Sequence, residues 1–188
     1  MNLIGISGTN GSGKDSLGKF LADDYGYLDV SVSEFLRQEA QKRGLPIERE
    51  VLRNISAEWR RDYGVGVLVD KAVELFNQSG NKYTGLVAIP MRNPGEAQHI
   101  KDLGGKLVWV DADPKLRYDR IYSRQRSAED NKTFEQFQRE EYEEMHHHGG
   151  DEATLNMAAV KAMADIFITN DNNNFEDFKT AAKKALNL

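Results

Sequence analysis

The chain contains no cysteine. That excludes a disulfide framework, a thiol nucleophile and a thiolate metal site, and it points to a reducing, cytoplasmic setting. Net positive charge is also lacking: the formal balance is −5. Broad attachment to nucleic acid is therefore not expected, and any bound anion must be held by local cations. No apolar run approaches the length needed to cross a bilayer. The apolar start, Met1-Asn2-Leu3-Ile4-Gly5-Ile6-Ser7, has no basic leader and meets glycine too early to read as a signal peptide. Neither nucleic acid nor a membrane is an expected partner. Internal repeats are missing, and no serine–histidine–acid arrangement can be assembled.

What is present fits one ordinary globular domain. The 188 residues are 39% hydrophobic and 29% charged, enough to bury a core without covalent staples. Leu3 to Ser7 reads as a short buried strand, and from Lys14 the pattern turns helical, with Leu17, Phe20 and Leu21 on one face. Tyr27 to Val32 reads as a second strand, with Ser33 as the cap of a following helix that has Glu34 in its first turn. A charged, mostly helical stretch runs to about Ser79, broken at Gly44-Leu45-Pro46 and Tyr63-Gly64-Val65-Gly66. Leu86-Val87-Ala88-Ile89 and Leu107-Val108-Trp109-Val110 are uniformly apolar, so they predict strands buried on both faces. A basic helix over 117–126, an acidic one over 131–145, a strand over 165–169 and a closing helix over 175–186 complete the chain. Strands alternating with helices predict an α/β fold: a parallel sheet with helices on both faces.

Gly8-Thr9-Asn10-Gly11-Ser12-Gly13-Lys14 carries the most specific chemistry. Two glycines with four residues between them, followed by lysine and set between a strand and a helix, let backbone amides turn inward around a phosphate. The helix N-terminus adds its positive end, and the Lys14 ammonium can reach the outer phosphates. Where Ser or Thr usually binds Mg²⁺, this chain has Asp15, followed by Ser16. Asp15 is either a direct or water-mediated magnesium ligand or simply an acid in a first helical turn.

Gly13-Lys14-Asp15-Ser16 resembles the loop variant of viral-type deoxynucleoside monophosphate kinases. The general layout is similar to the wider adenylate kinase and dephospho-coenzyme A kinase group. The resemblance implies a three-layer P-loop NTPase fold over 1–188, with a helical acceptor-binding insert at about 34–80 and a lid at about 117–150. It implies ATP with Mg²⁺, and a small phosphorylated, nucleotide-like acceptor. The ATP phosphates would sit on Gly8 to Ser16, with Asp15 and Ser16 at the metal. Arg37, in Ser33-Glu34-Phe35-Leu36-Arg37, and Arg92, in Met91-Arg92-Asn93-Pro94, match the arginines that hold the acceptor, with Glu34 beside them. Arg120 and Arg124, four apart on one helix face, match the lid arginines that clamp the transferring oxygens. Each arginine is also readable as a solvated surface charge.

The resemblance breaks after the third strand. Ala88-Ile89-Pro90-Met91-Arg92 has no acid where relatives place a magnesium-organising aspartate, leaving metal binding to Asp15, Ser16 and phosphate oxygens, helped by Glu34 or Asp111. Three alternatives follow from this. The enzyme is a nucleotide kinase, it is a dephospho-coenzyme A kinase-like enzyme with Asp29 or Glu34 as base, or it is a nucleotide-binding regulatory protein without turnover. His146-His147-His148 reads as a loop near the lid rather than a metal site. Phe175 and Phe178 read as core residues or as a border to the base, and Trp59 as part of an acceptor pocket or an interface.

Overall fold

The computed structural model describes residues 1–124, 132–145 and 151–188. The triple histidine 146–148 and Arg126 lie outside the described residues. Five strands form one parallel sheet: β1 (Asn2–Gly8), β2 (Tyr27–Ser31), β3 (Gly85–Ile89), β4 (Lys106–Asp111) and β5 (Ile166–Thr169), in the order β2-β3-β1-β4-β5. β1, which feeds the glycine-rich loop, is central.

Strand alternation sends successive side chains to opposite faces and builds two cores. Leu86, Ala88, Leu107 and Trp109 face one side, with α2 (Val32–Lys42), α3 (Arg49–Tyr63), α4 (Val67–Gln78), α5 (Pro94–Asp102) and α8 (Met157–Ala162). Val87, Ile89, Val108 and Val110 face the other, with α1 (Lys14–Tyr25) and α9 (Phe175–Leu186). The three layers expected from the apolar strands are therefore present. α6 (Pro114–Arg124) and α7 (Phe134–Met145) pack on each other beyond the strands' carboxyl ends, where Phe137 is buried beside Tyr118 and Phe134.

Several local expectations are corrected. β2 ends at Ser31, where its ladder with Ile89 stops, so α2 begins at Val32 with Ser31, not Ser33, at its N-cap. The basic helix starts three residues earlier than expected, because Pro114 suits a first turn and Asp113 accepts the Lys115 and Leu116 amides at 2.9 and 3.1 Å. The helices of the 34–80 stretch pack onto the sheet within the single domain. Leu36, Ile55, Trp59, Leu68 and Ala72 all join the core beneath the sheet. Trp59 is thus a core residue, with the Lys71 ammonium 4.6 Å over its ring. The helix α5 was not anticipated, yet Asn93-Pro94-Gly95-Glu96 is a legible start: an N-cap, proline at N1 and a capping-box glutamate at N3.

Candidate functional site

The glycine-rich loop turns between the carboxyl end of β1 and α1, as its sequence implied. Gly11 and Gly13 have φ of 78° and 99°, in the region that L side chains avoid. A Cβ on Gly13 would lie 2.5 Å from the Asn170 side-chain nitrogen. That contact is a brace: Asn170 Nδ2 donates to the Ser12 carbonyl at 2.8 Å. Further groups pin the loop from outside. Thr9 Oγ1 donates to Asp111 Oδ1 at 2.8 Å. Arg117, almost wholly buried, donates to the Ala112 carbonyl at 2.8 Å and the Asn10 carbonyl at 3.3 Å and forks onto Glu141 of α7.

Inside the loop the lysine is poorly compensated. Lys14 is 6% exposed. Its ammonium has one weak contact, to the Thr9 carbonyl at 3.4 Å, and pairs with no carboxylate among the described residues. Burial, only partly offset by Asp15, lowers its pKa to about 8, with Arg92 and Arg124 adding to the lowering. Ser12 Oγ, in the same loop, is the one buried side-chain polar atom among the described residues without a hydrogen-bond partner. A cation and a hydroxyl left short of partners within one turn are a receptor for an anion.

This gives a pH prediction. In the free folded protein Lys14 loses its proton as pH rises through about 8, whereas unfolded it holds it to 10.5. Protein stability should therefore rise between those values, as the cost of a buried charge disappears. Nucleotide affinity, which needs the ammonium, should be flat below pH 7 and fall by up to about tenfold per pH unit above pH 8. Isothermal titration with ADP from pH 6.5 to 9.5 measures this.

Two cavities flank the loop. The first, about 270 Å³, is lined by Lys14, Asp15, Ser16, Arg120, Arg124 and Phe175, among others. Arg120 lends its donors to the carbonyls of Gly11 at 3.3 Å and Asn170 at 3.0 Å, and to the Asn173 side chain at 3.2 Å. It thereby ties α6 to the loop and to the asparagine-rich turn 170–174. Arg124 lines the same cavity one turn on. Phe178 is a core residue, while Phe175, 45% exposed, stands at the mouth. The second cavity lies beyond Gly8, Thr9 and Asn10 and gathers Arg49, Arg92 and Glu144. Arg92 follows β3 as expected. Arg37 forms a surface pair with Glu34 at 3.1 Å, and neither lines these two cavities. Arg49 stands there instead, and Arg53, which lines no part of this cavity, reaches its Glu144 carboxylate at 2.9 Å. The sequence reading passed over both. Their signal was their spacing of four on α3, which puts both on one helix face.

The carboxylates divide sharply. Asp111 is already engaged. Its two oxygens accept from Thr9, the Ala112 amide, Trp109 Nε1 and Lys161, and these bonds outweigh burial to hold its pKa below the usual range. Asp29 is the opposite case. The residue keeps much of its surface open, but its carboxylate packs on Gly18 of α1. Loss of water there, then the charge of Asp15, pushes it up to about 6. Asp15 and Asp29 are thus two carboxylates near enough to interact across the first turns of α1.

Among solved structures, the chain is similar to shikimate kinase from Bacteroides thetaiotaomicron, with a TM-score of 0.60, 14% identity and coverage of 100% of this chain and 99% of that one. It is also similar to TT1252 from Thermus thermophilus, at 0.57 and 17%, covering 99% and 96%. These likenesses fit the parallel sheet and loop described above, and the fold is that of a P-loop NTPase of the kinase type. A UPF0200 protein of Methanococcus maripaludis is 27% identical, with all of both chains covered. One of Pyrococcus abyssi is 30% identical, covering 94% of this chain and 91% of the relative. One of Saccharolobus islandicus is 33% identical, covering 95% and 89%. A model of the AAA domain family, AAA_18, matches residues 4–145. On that match and those identities, the chain belongs to the AAA domain family and to the UPF0200 proteins.

Proposed function

We propose that the protein transfers the terminal phosphoryl group of ATP to a small, phosphorylated, nucleotide-like acceptor. The observation that carries this reading is the Lys14 ammonium, buried against the glycine-rich loop with no paired carboxylate among the described residues. A lysine held this way stabilises the protein only when a polyanion arrives. The nucleotide would enter the 270 Å³ cleft, with its phosphates on Gly11 to Ser16 and its base toward the asparagine turn and Phe175. Arg124 would face the transferring oxygens, and Arg120 would hold the wall of the cleft in place. Arg92, with Arg49 beside it, would hold the acceptor on the far side of the loop. Arg37 would have to leave Glu34 to join them. Positioning and charge suffice, because phosphoryl transfer needs no covalent nucleophile.

The residues present fit a magnesium ion that arrives on the nucleotide. Asp15 and Ser16 line the cleft, and a cation there would relieve the raised Asp29 carboxyl. No group of three or more ligands among the described residues could hold a metal alone, which suits an ion bound mainly by phosphates and water. Asp15 and Ser16 would hold it, and it would neutralise charge on the outer phosphates.

A second reading keeps the donor and changes the acceptor to a hydroxyl compound. It is favoured by the likeness in fold to shikimate kinases of Bacteroides thetaiotaomicron and Acinetobacter baumannii, and it would need Asp29, which lines neither cavity, to reach the acceptor as a base. Thermal-shift and ADP-release assays with ATP and Mg²⁺ should be run across nucleoside monophosphates, deoxynucleoside monophosphates, dephospho-coenzyme A and shikimate. Turnover of a nucleotide supports the first reading, and turnover of a hydroxyl acceptor alone supports the second. Stabilisation by ATP with no acceptor consumed would mean a nucleotide-binding regulator.

A further inference from the structure

The two sides of the phosphate loop are unequally open. The nucleotide side holds a cleft of about 270 Å³, whereas the acceptor side is closed to about 20 Å³, room for roughly one water. α7 fills it. Glu144, in the last turn of that helix, reaches in beside Gly8, Thr9 and Asn10. Its carboxylate accepts a hydrogen bond from Arg53 at 2.9 Å and lies 3.7 Å from both Arg49 and Arg92.

Among its described residues, α7 itself offers that carboxylate no basic partner in its last turn. A negative charge at a helix C-terminus also opposes the helix dipole. Glu140, one turn back, adds like-charge repulsion along the helix. The side chain is also largely removed from water, 13% exposed. It is held there by three guanidinium groups, which keep its pKa below the usual range although burial alone would raise it. α7 has other anchors. Phe137 is buried against Tyr118, and Glu141 forks onto Arg117. The helix therefore does not need Glu144 to stay docked on α6.

We propose that Glu144 is an internal stand-in for the acceptor's phosphate, occupying an anion subsite of Arg49, Arg53 and Arg92 and keeping the acceptor cavity shut until that phosphate displaces it. The inference rests on the acceptor side assigned above. Charge matching argues for the exchange. Glu144 brings one negative charge to three arginines, with Glu140 sharing Arg49 at 3.6 Å, whereas a phosphate monoester brings nearly two and three oxygens for guanidinium forks. Acceptors without an anionic group have nothing with which to open the cavity.

The test uses inorganic phosphate as the probe and Lys14→Ala as the background, which removes the loop's ammonium and keeps the outcome independent of ATP chemistry; the loop's amides are common to every variant compared. Adding Glu144→Gln should tighten phosphate binding about tenfold or more by isothermal titration. Adding Arg53→Met to that pair should abolish the gain. Equal or weaker phosphate binding after Glu144→Gln would overturn the proposal. A second measurement needs no substitution. Saturating phosphate should speed amide hydrogen exchange in the last turn of α7 in the unaltered protein, and unchanged exchange there would overturn it equally. Failure of ADP to bind the unaltered protein would instead refute the nucleotide reading, leaving both phosphate experiments interpretable.

Discussion

Replacing Lys14 with Ala should lower kcat/KM for phosphoryl transfer by about 10²–10³-fold or more while leaving the melting temperature unchanged or slightly raised. The two halves of that result have one cause. The ammonium is 6% exposed, touches one carbonyl at 3.4 Å and has its pKa lowered to about 8 by burial. At pH 7 it is charged at a cost to the empty protein, so its removal forfeits little stability. With nucleotide bound, the same charge faces developing negative charge in a site shielded from water, where it counts most. A structural lysine would show the reverse pattern. Activity near that of the parent would remove Lys14 from the site, and a large fall in melting temperature would make it a folding residue. Steady-state kinetics and differential scanning calorimetry on the same preparation separate these cases.

Breaking the Arg60–Glu96 pair should destabilise the protein by about 3–5 kcal/mol, a fall in melting temperature of roughly 10 °C for a chain this size. Arg60 is 4% exposed and Glu96 fully buried. Arg60 places Nε and Nη2 on Glu96 Oε1 at 3.1 and 2.6 Å and Nη1 on Ser56 and the Ala153 carbonyl. Glu96 Oε2 accepts the amides of Arg92 and Asn93 at 3.0 and 3.2 Å. Arg60→Met would strand a carboxylate in the core, and Glu96→Leu would strand a guanidinium. The double substitution removes both charges and should cost less than either single one, which a double-mutant cycle would reveal as strong coupling. The same network holds the backbone of Arg92, so Arg60→Met should also raise the acceptor KM more than it lowers kcat. Additive stability losses without coupling would show that the pair is not a unit.

These predictions differ in how far a reader of the bare chain could have reached them. Lys14 was accessible because its role depends on residues within one turn: two glycines, a preceding strand and a following helix are contiguous. Arg92 was accessible for a similar reason, as the residue just beyond a buried strand. Glu96 was half accessible. Its capping-box position after Asn93 and Pro94 is written in four consecutive residues, but its partner Arg60 lies 36 positions earlier, and nothing local marks that meeting.

The chain order of apolar strands, amphipathic helices and a glycine-rich turn was enough to establish a parallel α/β sheet with a phosphate loop at its amino end, because backbone hydrogen bonding and side-chain periodicity act over a few residues. Which arginines gather around the second cavity and its Glu144 was decided by folding instead. Arg37 turned to Glu34 on its own helix, while Arg49 and Arg53 met Arg92 and Glu144 from elements far apart in the chain. Asp111, a plausible metal ligand in one dimension, was saturated by donors from the loop, its own strand and α8. Long polar side chains choose partners by distance and lost hydration in three dimensions, and neither quantity exists until the layers have packed.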